Sequence, residues 1–315
     1  PRGLSEGLIS SESKNPLKET FKELVGLTPF GLVGSDNFKK ELSINIIFTV
    51  LIFLASYYLY VLTGDFLQWT AFGIGVYVIC NWIHGLKNRD PVAFLLIFKS
   101  KALLLGLLSF PFITFVTYAL GAFGPSFYIR NFSMTATEVG IIYGLITVFG
   151  SMIGVICGGI LGDKLRETYV NGKLYLIMAS AVLTGVTAIG FIHSENLVAS
   201  FTWKFVYHIA STAWLGCAAS TVTELVLPRL RAVASAFFIL MLSMIGLALG
   251  PYLTGMVSDI YINSGLLPGP ALKNAMTLTL VVLVLPFGLL AVACKYLKND
   301  EAEIYEKARS LGEEI

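Results

Sequence analysis

The chain of 315 residues is 56% hydrophobic and 13% charged, with a mean hydropathy of +0.76, where an average soluble domain carries about 25% charged residues. This excludes a soluble globular protein and points to one embedded in a membrane. The 22 Lys and Arg against 20 Asp and Glu leave a formal net charge of +2, too small to imply a nucleic acid partner. The 4 cysteines, Cys80, Cys157, Cys217 and Cys294, fall in separate apolar runs without paired metal-site spacing. They read as small buried hydrophobes.

Residues 1–43 are polar and read as a cytoplasmic linker, with an amphipathic stretch at 16–25. Apolar runs then predict eight membrane-spanning helices, at 44–63, 66–86, 102–123, 139–161, 174–192, 197–227, 232–258 and 274–294, each near or above the about 20 residues a span needs. The first two form a hairpin. The run 91–98, between Arg89 and Lys99, is too short to span and predicts a helix lying along the cytoplasmic surface over 87–100, leading into the third span. Residues 299–315 alternate acid and base, as a solvated cytoplasmic helix does.

Lys and Arg fall in alternate connections: Lys39 and Lys40; Lys87, Arg89, Lys99 and Lys101; Lys164, Arg166 and Lys173; Arg229 and Arg231; Lys295 and Lys298. The other set holds Asp65, Arg130, Glu138, His193, Glu195, Asp259 and Lys273. The positive-inside rule therefore predicts that both termini are cytoplasmic, as an even number of spans also requires. The expected location is the bacterial inner membrane.

Several spans carry residues that lipid alone does not explain. No charge lies between Glu138 and Asp163, and Gly150, Gly154, Gly158 and Gly162 recur every four residues to form a bare stripe for a neighbouring backbone. Thr135 to Glu138 is a capping-box pattern opening that helix. On the third span Thr114, Thr117 and Tyr118 form a polar patch near Pro111; they either line a cavity or bond their own backbone. The sixth span holds Lys204, Tyr207, His208, Ser211 and Thr212 at helical spacing, between Trp203 and Trp214. Ionisable groups inside a span are costly and are functional candidates; alternatively, Lys204 extends its stem to the outer interface. Glu224 reads as the partner of Arg229 or Arg231. Gly246, Gly250 and Pro251 on the seventh span form a close-packed point, mobile or static.

Chemistry is thinly represented. The 3 histidines, His84, His193 and His208, are scattered, and no Ser elbow, phosphate-cradling Gly-Lys-Ser or paired-His helix appears. No catalytic residue, metal or cofactor is expected.

The segment Gly159-Ile160-Leu161-Gly162-Asp163-Lys164 resembles the second-half copy of the loop signature of the major facilitator superfamily. Leu230 to Ala236, Ile245 to Pro251 and Gly255 to Asp259 look like the eleventh helix of spinster-like members, and Leu120 to Arg130 is similar to the end of their seventh. The resemblance covers 101–298 and implies an all-α integral membrane fold: the C-terminal six-helix half of a twelve-helix transporter, preceded here by the extra hairpin 44–86. Pro1-Arg2-Gly3 resembles the turn that follows the family's sixth helix, which implies a C-terminal fragment whose partner is a missing N-terminal six-helix half.

The implied activity is secondary active transport by alternating access. Membrane lipid surrounds it, and the substrate is a small lipid-like or amphipathic organic molecule. A drug or organic-anion exporter is the alternative, ahead of an intramembrane lipid enzyme or a non-transporting scaffold. The resemblance makes Gly159, Asp163, Lys164, Arg166 and Arg231 gating residues together with Gly246, Gly250 and Pro251. Thr114, Thr117, Tyr118, Lys204, Tyr207, His208 and Ser211 become candidates for a substrate cavity.

Overall fold

The computed structural model describes residues 38–310, so the amphipathic stretch 16–25 and the last residues of the acidic tail lie outside the described residues. Among the described residues the secondary structure is helical, in two compact units divided between Phe94 and Leu95.

The first unit is the hairpin. Helices α1 (Phe38–Thr63) and α2 (Phe66–Arg89) are joined at Gly64, whose φ of +82° suits a residue without a Cβ. The turn is fastened by Thr63, whose hydroxyl accepts from Trp69 Nε1 at 2.6 Å. Towards the other end, Asn45 donates to Asn81 at 2.9 Å and accepts from Tyr77 at 3.0 Å, so the two polar amides satisfy one another inside an apolar pair. An apolar groove of about 670 Å³ runs between the helices, lined by Phe53, Tyr57, Tyr60, Phe66 and Tyr77 among others.

Helix α3 (Pro91–Lys99) crosses the division between the units. It is the short helix expected, but it is not simply laid on a surface. Leu96 and Ile97 are buried, and Phe98 meets Phe237 edge to face at 5.6 Å.

The second unit contains α4 (Lys101–Phe132), α5 (Ala136–Thr168), α6 (Gly172–His193), α7 (Leu197–Glu224), α8 (Arg231–Met241), α9 (Ala248–Asn263), α10 (Pro268–Thr279), α11 (Val284–Ala293) and α12 (Leu297–Ser310). Caps set several starts: Ser100 accepts from the Leu103 amide, Asn196 from Val198 and Ala199, and the Thr135 and Glu138 capping box forms as expected. Helices α4 and α5 run past their predicted ends because helix propensity does not stop where the apolar run stops.

Two spans are single helices with a local change of pitch. A π turn at Leu242–Leu247 links α8 to α9, one turn before Pro251. A 3-10 turn at Leu280–Leu283 links α10 to α11, just before Pro286. Proline cannot donate to the carbonyl four residues back and crowds it, so the preceding turn widens or tightens.

Among the described residues seven helical segments are long and apolar enough to cross a membrane. The polar α7 is not among them, although its 28 residues reach about 42 Å at 1.5 Å per residue. It packs extensively on both α5 and α6, so its polar side chains face protein and its fitness to span comes from its neighbours.

Helix α12 is more than a solvated tail. Leu297 and Ile304 are buried, and the Asp300 carboxylate accepts from Ser100 Oγ at 3.0 Å and from the Ala102 amide at 2.8 Å, capping the positive end of α4. Of the four cysteines only Cys217 is buried; Cys80 and Cys294 are partly exposed and Cys157 is exposed, which corrects the reading of all four as buried hydrophobes.

Candidate functional site: a caged lysine and two glycine seams

The first seam is the glycine stripe of α5. A Cβ added at Gly150 would meet His208 Cβ at 2.7 Å; at Gly154 it would meet Ile209 and Thr212, at Gly158 the Ala213 backbone, and at Gly162 the Cys217 sulfur. All four contacts lie on α7. With no side chains between them the backbones come close enough for Thr212 Oγ1 to donate to the Ser151 carbonyl at 3.2 Å. Gly159, by contrast, faces open space. The second seam sets Gly246 against Thr114 and Gly250 against the backbone of Phe115, bringing the π turn and α9 onto α4.

The polar candidates separate into two groups. Thr114 and Thr117 donate to the carbonyls of Phe110 and Ile113 one turn back, at 3.2 and 3.0 Å. The Thr114 hydroxyl thus serves its own helix, while that of Thr117 also meets Tyr207 on α7. Tyr118 is 44% exposed and joins no cluster with them.

Lys204, Tyr207 and His208 come together, and burial is the rule there. Lys204 is fully buried at 0% exposure, which corrects the reading of it as an interfacial anchor. Its Nζ stands 4.3 Å from the ring centre of Phe191, 4.4 Å from Tyr207 and 4.9 Å from Tyr143. Rings attract a cation with their negative faces but accept no conventional hydrogen bond. Lys204 Nζ is buried without a hydrogen-bond partner, whereas the buried Tyr207 hydroxyl lies against the hydroxyls of Thr117 and Ser211. His208 Nε2 lies 3.0 Å from Thr147 Oγ1, and Ser211 Oγ contacts the His208 carbonyl at 3.4 Å.

Around this cage Tyr128 stacks on Phe201 at 4.3 Å and shares a 3.1 Å hydrogen bond with Ser200, which donates to the Phe191 carbonyl. Tyr143 and Phe191 were not picked out from the sequence. Tyr143 offered a signal, since it shares a helical face with Thr147 and Gly150; a lone Phe191 in an apolar run offers none.

Of the candidate gating residues, the charged ones gather where α5 and α7 end and α6 and α12 begin, while Gly246 and Gly250 lie in the second seam and Gly159 apart from both. Lys173 forms the centre. It pairs with Glu224 and lies 3.8 Å from Asp163, which is 77% exposed. Arg166 reaches Glu301 on α12 at 2.6 Å and the Val170 carbonyl. This corrects one pairing: Glu224 is joined by Lys173 across the α6–α7 contact, and the same Lys173 reaches Asp163, with Lys164 exposed beside it. Arg231 instead donates to the Thr223 carbonyl at 3.2 Å. Among the described residues no group of His, Cys, Asp and Glu is arranged to hold a metal ion.

No family model matches the chain. It is 30% identical over 201 residues to an MFS-type efflux pump of Mycolicibacterium smegmatis, covering 63% of this chain and 45% of that protein. It is 26% identical over 173 residues to the protein spinster of Drosophila melanogaster, covering 51% and 28%. The chain thus spans less than half the length of these relatives. In fold it matches a bacterial homologue of the human lysosomal transporter spinster, in an inward-facing and occupied conformation, with a TM-score of 0.51 and 22% identity over 77% of this chain and 58% of that one. Sequence and helical fold together relate this integral membrane protein to the spinster-like members of the major facilitator superfamily.

Proposed function

We propose that the chain supplies one six-helix half of a secondary active transporter that works by alternating access, with a second six-helix half as its partner. The observation that carries this reading is the six-span body of α4 to α11, closed by two side-chain-free seams and matched by a spinster fold. Bare seams let packed helices shift along one another without unlocking side chains, which rocking of one half against the other requires. The Asp163, Lys173, Glu224 and Arg166 cluster is the cytoplasmic lock, and the hairpin 44–86 is an insertion between halves. Both termini face the cytoplasm.

The substrate is an amphipathic, lipid-like organic molecule. Export of a drug or organic anion is the second reading, favoured by the efflux pump among the relatives. The test is counterflow in proteoliposomes containing the full-length protein. A fluorescent single-chain lipid should exchange saturably across the membrane, and competition by unlabelled dyes and drugs should separate the two readings. Absence of protein-dependent flux for every amphipath offered overturns both.

A further inference from the structure

Two connections far apart in sequence, 99–101 and 294–298, meet at one end of the second unit. The Asp300 carboxylate on α12 joins them, accepting from Ser100 Oγ at 3.0 Å and from the Ala102 amide at 2.8 Å. Lys101 adds a second tie, with its Nζ 4.8 Å from the ring centre of Tyr296. Lys99 and Lys101 on one connection therefore stand beside Lys295 and Lys298 on the other, and all four are exposed.

The patch is of one sign. Among the described residues none of the four lysines forms an ion pair. Acids close by in sequence are turned to other work: Asp300 is buried against the start of α4, and Glu301 holds Arg166 on α5. Glu303, five residues beyond Lys298, falls on another side of α12. Like charges repel unless an anion lies between them. Here a buried cap and a ring hold the lysines together, and neither neutralises them.

Position identifies the anion. Lys101 opens the membrane-crossing segment Lys101–Phe132, and Lys295 follows the end of the segment Pro268–Ala293, so the patch lies where two spans leave the hydrocarbon, at the level of the lipid phosphates. Lysine stems reach such groups from a helix end, and the half-buried Tyr296 has the ring and hydroxyl that suit this interface. Basic pockets between spanning helices bind head groups that carry more than one phosphate.

We propose that this patch is a site for an anionic phospholipid of the surrounding bilayer, whose head group of two phosphates is shared between Lys99 and Lys101 on one side and Lys295 and Lys298 on the other. The lipid clamps α12 to the start of α4. The site stands apart from the transport reading, because it needs neither a substrate nor a second half.

Native mass spectrometry of the full-length protein, mixed in detergent with equal amounts of cardiolipin, phosphatidylglycerol and phosphatidylcholine, reads which lipid stays bound. Wild type should retain cardiolipin most and phosphatidylcholine least. The double variant Lys295→Gln, Lys298→Gln should weaken cardiolipin by about 10-fold, as loss of two surface cations does, and leave phosphatidylcholine within about two-fold. The double variant Lys99→Gln, Lys101→Gln should do the same, and it carries the test if the first fails to fold. Lys164→Gln, an exposed lysine on the connection between α5 and α6, should leave cardiolipin binding unchanged. Cardiolipin should also raise the melting temperature of wild type more than that of either double variant. No preference in wild type, a loss in only one of two folded double variants, equal loss for all three lipids, or the same loss in Lys164→Gln overturns the site. Displacement of the lipid by inorganic pyrophosphate alone would make the patch a site for a soluble phosphate and overturn it as well. Absence of transport by the full-length protein would remove the transport reading and leave this site standing.

Discussion

Lys173 joins three helices through one amine: it belongs to the first turn of α6, pairs with Glu224 at the end of α7, and reaches Asp163 near the end of α5. Its side chain is nearly buried while Asp163 is mostly exposed, so the two contacts differ in worth. Exposed ion pairs typically contribute about 0 to 1 kcal/mol, whereas Lys173, nearly buried itself, holds a half-exposed Glu224 and packs its stem among the helix ends. Asp163→Asn is therefore expected to leave thermal stability in detergent nearly unchanged while altering transport rate, because its role lies in the balance between conformations. Lys173→Ala is expected to lower both. A melting temperature that falls equally in the two variants would show that the cluster is only structural.

The residue scale is also where the sequence was hardest to read. Asp163 stood out because a charge ended an apolar run. The pairing of Lys173 with Glu224 did not, because the two lie 51 positions apart and only the α6–α7 packing brings them together. Glu224 was matched to nearby Arg229 and Arg231 on sequence distance, while geometry sends Arg231 to a carbonyl. Lys204 was legible as an anomaly, since α7 is the least apolar long helix, but its aromatic surroundings come from three helices and have no linear pattern.

Element by element, the glycines were legible in proportion to their periodicity. The four at spacing four in α5 all meet α7, whereas Gly159, drawn in by its place in a loop signature, meets nothing within 4 Å. This yields a paired prediction on adjacent residues. Gly158→Ala drives a Cβ into the Ala213 backbone and is expected to destabilise the protein by about 1 to 3 kcal/mol, the usual range for overpacking. Gly159→Ala removes a glycine from a helix interior at an open position and is expected to stabilise by up to about 1 kcal/mol. Thermal unfolding of the two variants in the same detergent checks the sign. If both shift the same way, the seam is not tight.

The π turn was not legible. Pro251 predicted a disturbed helix, but whether the turn before it widens, tightens or bends depends on what it packs against. Here Gly246 lets the wide turn sit on Thr114. Pro251→Ala restores a donor for the Leu247 carbonyl, which should favour a regular helix and pull Gly246 out of register with α4. Slower transport with a raised melting temperature is the expected pairing, since π turns are retained at a cost in regularity.

At the scale of the second unit, the charged contacts collect at one end. Asp300 caps the start of α4, Glu301 holds Arg166 at the end of α5, and Lys173 draws α6 and α7 to the same level. The connections that the positive-inside rule grouped by counting Lys and Arg are thus grouped again by contact, through α12. Asn131, at the far end of α4, lies at the opposite end, where its amide donates to the Phe127 carbonyl. Orientation follows as a measurable expectation. In a full-length protein with Cys80, Cys157, Cys217 and Cys294 replaced, a cysteine at position 131 should react with an impermeant thiol reagent added to intact cells, and one at position 168 only after permeabilisation. Equal labelling of both in intact cells would invert or dissolve the assignment. It would also move the Lys173 cluster from the cytoplasmic face to the outer one, turning the lock proposed here into a gate on the other side of the membrane.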